Sequence, residues 1–343
     1  MLEPNINGIW VGKQTAKGTE NTTPIKHPAL MGGGFQFARD DGSSPYSDLS
    51  KYGAEFRYVN SAQGNGNPAI ASTPSELAYI LWLAHGAEVT ASVTGPPAKT
   101  KHTFTPSLTQ GFWHTWVTRL GLTQIIRQSW IDCLIGGFTI EGSTGQKDLR
   151  ITPTVFSADP AKIVAADPSA ALPTTYPFMY TEATGTFTID TVVQVCHSQF
   201  QFTVSEDRSP YFGDDVLPCD FTVGTPTATI AATITFNANG QTEYNNLVYG
   251  TGSPTAGTKP LKTIAAVGSY SAWFKAKTPG TNTLNGNEFK LTIPAVQWAI
   301  PDAPQPNPAG GDSTIALSGR VVPPATGLPY TIDVNNDDVA YTI

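Results

Sequence analysis

The sequence predicts a mainly β chain, an antiparallel sandwich or barrel of short strands packed with a single helix. Three observations carry this expectation. Charged residues make up only 14% of the 343 positions, against about 25% in average globular proteins. The 32 glycines and 28 prolines divide the chain into many short elements. Between them stand runs rich in Thr, Val, Ile and aromatic residues, the types that suit a pleated, half-buried surface. A chain of this length buries a substantial core and needs no covalent staples.

The first fifty residues read as an N-terminal arm and loop. Turn and polar signals surround one apolar patch, Ile9-Trp10-Val11, and lead to Gly32-Gly33-Gly34, which permits backbone shapes other residues avoid. The main β domain is expected over 51–343. From Lys51, residues Tyr52, Ala54, Phe56 and Tyr58/Val59 alternate with Gly53, Glu55 and Arg57 in the period of a strand. Gly64-Asn65-Gly66-Asn67-Pro68 then ends it.

A helix is predicted over 74–85. Thr73 is its N-cap, Pro74 its first helical position, Glu76 completes a Thr-x-x-Glu capping box, and Gly86 closes it. Leu77, Tyr79, Ile80, Leu81, Trp82 and Leu83 cover most of its circumference, whereas a surface helix shows a polar face. Either its own domain wraps it or a neighbouring subunit does. The second choice makes Leu77, Ile80, Leu81 and Trp82 a candidate inter-subunit surface.

After the linker Gly95-Pro96-Pro97, the segment Lys101 to Pro106 reads as a short strand, and Phe112, Trp113, Trp116 and Trp130 as core. Cys133 to Gly142 and Asp148 to Phe156 are two alternating runs around a turn at Ser143 to Gln146, which predicts a β-hairpin. Further strands are expected over 184–190, 197–204, 222–236, 269–276 and 288–300. In the second of these, Phe200, Phe202 and Val204 share one face and Gln199, Gln201 and Thr203 the other. Loops at 159–177, 250–262 and 301–312 exceed ordinary connections, and the prolines between Pro301 and Pro308 favour a semi-rigid course.

Charge and motifs narrow the function. A net charge of -7 and a pI of about 5.2 supply no basic face with which to neutralise phosphates. Such a balance suits a wall along which DNA slides without sticking, and equally a surface kept soluble by its charge. Met1 to Asn5 form neither a basic n-region nor an apolar h-region, so synthesis in the cytosol is expected. No run approaches the roughly 18–20 apolar residues of a spanning helix, so no membrane partner is expected.

Cys133, Cys196 and Cys219 follow no paired metal-binding spacing and read as buried thiols. Cys196 and His197, as neighbours on a strand, point to opposite faces. The five histidines come without a His-Glu-x-x-His, Gly-x-Ser-x-Gly or phosphate-loop motif, and His85 suits the last helical turn, where the dipole favours a cation. Glu206-Asp207 and Asp214-Asp215 flank what reads as a solvated loop. Asp333, Asn335 and Asp337 imitate the start of a calcium loop, but Asp338 stands where the sixth position demands glycine. No catalytic residue, cofactor or metal is expected, and no enzyme. Strands with little charge to blunt their edges favour a chain that assembles.

The order Ile9-Trp10-Val11-Gly12-Lys13-Gln14-Thr15-Ala16-Lys17-Gly18-Thr19, then a capped Leu-rich helix, then His102-Thr103-Phe104-Thr105-Pro106, then Asp132-Cys133 leading into Phe138-Thr139-Ile140-Glu141-Gly142, resembles the tail tube (major tail) proteins of siphoviruses, the long-tailed bacteriophages. Leu291 to Val296 extend the resemblance into the later half. It implies a β-sandwich or half-barrel of the tail tube type with one packed helix. It implies hexameric rings stacked into the tube of a virion tail, assembled in the cytoplasm of the bacterial host. Inner strands of neighbouring subunits would join into a barrel whose acidic lumen holds the tape measure protein and later passes DNA without binding it tightly. Tail terminator and distal tail proteins are the further implied partners. Glu141 and Asp148 of the hairpin, with Glu182 and Asp190 from the next strands, are the expected lumen acids. The alternative from another class is a capsid decoration or host-surface-binding β module, which shares the composition but needs no ring.

Overall fold

The structure, a computed structural model, describes residues 8–27, 34–48, 51–94, 97–106, 111–121, 125–146, 148–168, 176–179, 187–190, 192–194, 197–206, 208–262, 267–277, 283–304 and 313–341. The first half comprises β1 (Gly8–Lys13), β2 (Ile25–His27), β3 (Phe35–Asp48), β4 (Lys51–Gly66), β5 (Ile70–Ala71), α1 (Pro74–His85), β6 (Val89–Val93), β7 (Lys99–Phe104), β8 (His114–Leu120), β9 (Ile126–Ser143) and β10 (Arg150–Ile163). The second comprises β11 (Phe187–Ile189), β12 (Val192–Gln194), β13 (His197–Ser205), β14 (Arg208–Phe212), β15 (Pro218–Val223), β16 (Thr227–Thr235), α2 (Ala238–Tyr249), β17 (Val267–Lys277), β18 (Leu284–Trp298), β19 (Thr314–Val321) and β20 (Thr331–Asn336). The chain is mainly β and antiparallel.

Among the described residues eighteen strands form one branched sheet that folds over itself in two layers, and β14 and β15 pair separately. One layer runs β4-β10-β9-β13-β16-β19. At the corner β19 pairs with both β16 and the end of β18. From β18 the second layer continues through β17 to β11 and β12, and through β20 to β7 and β6. Alternation along each strand puts one face inside. Phe200 and Phe202 of β13 thus meet Phe274 (5.4 Å) and Tyr330 (5.2 Å), and Phe178 meets Phe289 (6.3 Å).

β9 organises the first layer. Its early half pairs with β8 and its late half with β13. Between the pairs Trp116↔Trp130 and His114↔Cys133 it carries one extra residue, a β-bulge that redirects the strand. Asp132 there adopts φ 53, and its carboxylate accepts a hydrogen bond from the Gly18 amide at 2.6 Å.

α1 spans the predicted residues. Thr73 Oγ1 accepts from the Glu76 amide at 3.4 Å, and Gly86 closes the helix in the left-handed region at φ 71. The capping box is only half made, since the Thr73 amide donates to Ala71 O and Glu76 Oε2 is buried without a partner. α1 packs on β20, β9, β7 and β18 of its own chain. Leu77, Ile80 and Leu81 are fully buried and Trp82 is 4% exposed. The inter-subunit choice for these four residues is therefore overturned: the chain's own sheet covers them.

Other expectations need correction. The arm and loop expected over 1–50 is corrected at its described residues, 8–27 and 34–48: β1 lies between β2 and β8 with Trp10 and Val11 in the core, and β3 pairs with β4. The stretch around Arg208 is no solvated loop: β14 and β15 form a hairpin in which Arg208 is buried beside Glu206. Phe221 of that hairpin packs with Phe156, Leu134 and Ala158 over the outer face of β9 and β10. β9 is consequently buried on both faces from Ser129 to Phe138. The strand expected over 222–236 is two, β15 and β16, broken around Pro226. β10 runs to Ile163, into the loop expected from 159. α2, capped by Asn237 and ended by Gly250 at φ 74, precedes the loop at 250–262 and was not foreseen.

Candidate assembly surface

The longest feature outside the two layers is the β3–β4 hairpin. Its base is anchored: the Phe35 ring lies 5.5 Å from Trp116 and 5.1 Å from Trp130. Gly64 leaves room for Trp130, whose ring a Cβ would meet at 2.7 Å. Only Gly64 to Gly66 pair with β10, and the Ala62 amide donates to Val216 O at 2.8 Å. From Asp40↔Ser61 to Asp48↔Lys51 the two strands pair only with each other among the described residues. Nine residues of strand reach about 30 Å. A lone two-stranded ribbon is marginal in water, and beyond Asp40 its two long edges, which meet no further strand among the described residues, can pair with another chain. β2, β6 and β12 border the sheet in the same way, each paired on one side among the described residues.

The expected lumen acids divide. Glu141 on β9 is half-buried, between Arg150 of β10 and Gln201 of β13 in the register. Asp148 sits 3.4 Å from the Arg150 guanidinium. The hairpin thus brings Glu141 and Asp148 together, with one arginine between them that offsets part of their charge. Asp190 does not join them. It lies beyond β11 in the other layer, at φ 49, and accepts from the Ser269 amide at 2.5 Å. Glu182 lies outside the described residues.

Sequence reasoning missed what surrounds Glu141. Adjacent strands of this outward face present Thr139, Gln201, Thr203, Thr229 and Thr233, and the Thr139 and Thr203 hydroxyls bond at 3.1 Å. Such a face offers mainly hydroxyls and amides, with Arg150 beside Glu141 and Arg320 opposite Thr229 as its cations. Period-2 alternation already marks these positions as outward on each strand; only the pairing of β9, β13 and β16 shows that they form one surface.

His85, His197 and Cys133 are held in unreactive states. His85 donates from Nδ1 to Leu81 O at 2.9 Å, and burial lowers its pKa to about 4, so it is neutral at the helix end where a cation was expected. His197 stacks on Phe187 at 3.8 Å and burial lowers it to about 3; Cys196 lies outside the described residues. Burial pushes the Cys133 thiol up, away from the thiolate a nucleophile needs. Cys219 is exposed rather than buried, because β15 turns that face outward. Asp333 and Asp337 are engaged by Lys101 and Lys99. Among the described residues no three His, Cys, Asp or Glu side chains converge on a metal position, and no helix is long and apolar enough to cross a membrane. No protein-family model matches the chain, and no curated protein matches it either.

Proposed function

We propose that this chain is a structural subunit of a phage tail tube, assembling as hexameric rings that stack into a conduit for DNA. The observation that supports the proposal is the β3–β4 hairpin, about 30 Å of self-paired ribbon whose strands beyond Asp40 pair with no further strand among the described residues, and which gains stability when a second copy covers it. The acidic balance of the chain and the hydroxyl-rich face around Glu141 add support, because a passing phosphate backbone finds few cations there to hold it. On this proposal that face lines the lumen, and the tape measure, terminator and distal tail proteins are partners by resemblance alone. Electron microscopy of the purified protein tests it. Stacked rings or tubes are the expected result, and a persistent monomer at high concentration contradicts it.

A further inference from the structure

Glu243 lies on the inward face of α2, one turn before Leu247, and both are buried. Glu243 is 0% exposed, and neither carboxyl oxygen has a hydrogen-bond partner. Burial and the nearby Asp190 carboxylate raise its pKa to about 7, in that order; the Asn246 amide lowers it without completing a hydrogen bond to either oxygen. Asp190 is fixed by the Ser269 amide, and its carboxylate presses on Gly268 so closely that a Cβ there would fall 2.2 Å from Oδ1. Among the described residues no lysine, arginine or histidine forms an ion pair with either carboxylate.

A buried, unpaired carboxylate is costly, and two facing ones cost more. An orphaned buried polar group calls for an ion, a water or a functional role. Asn239, one turn before Glu243 on α2, donates to Val193 O at 2.9 Å, which sets this face of the helix against the β11–β12 hairpin at whose end Asp190 stands, so one positive ion can serve both carboxylates. We propose that Glu243 and Asp190 hold a hard divalent cation of the magnesium or calcium class, tying α2 to the β11–β17 edge. Such ions take oxygen ligands, and magnesium in particular is held by one or two carboxylates with waters completing the shell. Thiolate and imidazole groups, which softer metals favour, are not part of the set.

The site does not depend on the tube reading, and its test is binding and stability of the monomer. Protein treated with EDTA at pH 8 is melted with and without MgCl2 or CaCl2, and titrated with terbium for luminescence sensitised by nearby tyrosines. The expected result is a rise of roughly 5 °C once the metal exceeds its Kd about 100-fold, together with a saturable terbium signal. Glu243→Gln and Asp190→Asn should both melt cooperatively and lose the shift; asparagine suits the left-handed backbone at 190 and keeps an acceptor for Ser269. No shift with either metal in the wild type, or an equal shift in Glu243→Gln, overturns the proposal.

Discussion

All five histidines are buried, and burial depresses four of them, to about 3 for His27 and His197 and to about 4 for His85 and His114. The fold keeps them neutral, whereas the unfolded chain takes up protons below pH 6.5. A depressed folded pKa means that the stability is present above 6.5 and is lost as the pH falls toward the folded values. Each imidazole costs up to about 1.4 kcal/mol per pH unit, the full slope being reached only below 6.5 where the unfolded group is fully protonated, so between pH 6.5 and 5 the four remove about 7 kcal/mol. Glu76 and Glu243 act in the opposite sense. Both are raised to about 7 by burial, so the folded state binds their protons first and acid returns about 4 kcal/mol over the same range. The net loss of about 3 kcal/mol lowers Tm by about 4 °C for a chain of this size. Thermal melts followed by circular dichroism at pH 7.5, 6.5 and 5, in EDTA and at constant ionic strength, measure it. A Tm that stays flat or rises from pH 6.5 to 5 refutes the buried neutral histidines.

Thr73→Ala removes the one side-chain cap α1 has and costs about 1 kcal/mol in urea unfolding, whereas Glu76→Gln at pH 8 is neutral or stabilising, because Glu76 closes no capping box and its Oε2 is unpaired. Gly268→Ala drives a methyl into the Asp190 carboxylate and lowers urea stability by about 1–3 kcal/mol. Tyr341→Ala empties a slot formed by His102 (5.1 Å), Trp82 (5.4 Å) and Tyr79 (5.6 Å) and frees Asp338 from the tyrosine hydroxyl. The expected cost is about 3–5 kcal/mol, read from the same unfolding curves.

Legibility in the sequence followed the range of the interactions. α1 could be placed residue for residue because Thr73, Pro74 and Gly86 are local signals around a dense apolar run. The β9–β10 hairpin was equally local. α2 was hidden because it buries only Gly240, Glu243, Leu247 and Val248, too few apolar residues to mark a stripe. β1 gave no alternation because Ile9, Trp10 and Val11 are all buried. The β3–β4 ribbon was half visible: Lys51 onward alternates, but Asp40, Asp41, Gly42, Ser43, Ser44 and Pro45 read as turn. Glu141 and Asp148 could be paired from the hairpin, whereas Asp190 is placed by an amide 79 positions away. No local pattern carries a contact of that separation.

The ribbon offers the most direct test of assembly. Replacing residues 41–60 with Asn-Gly leaves Asp40 opposite Ser61 across a two-residue turn of the favoured type, and leaves the anchored base intact. Wild type and variant are compared by sedimentation velocity and electron microscopy at equal concentration, with thermal melts confirming that both are folded. Rings or tubes are expected from the wild type and a folded, unassembled monomer from the variant. Tubes formed equally well by the shortened chain contradict that expectation.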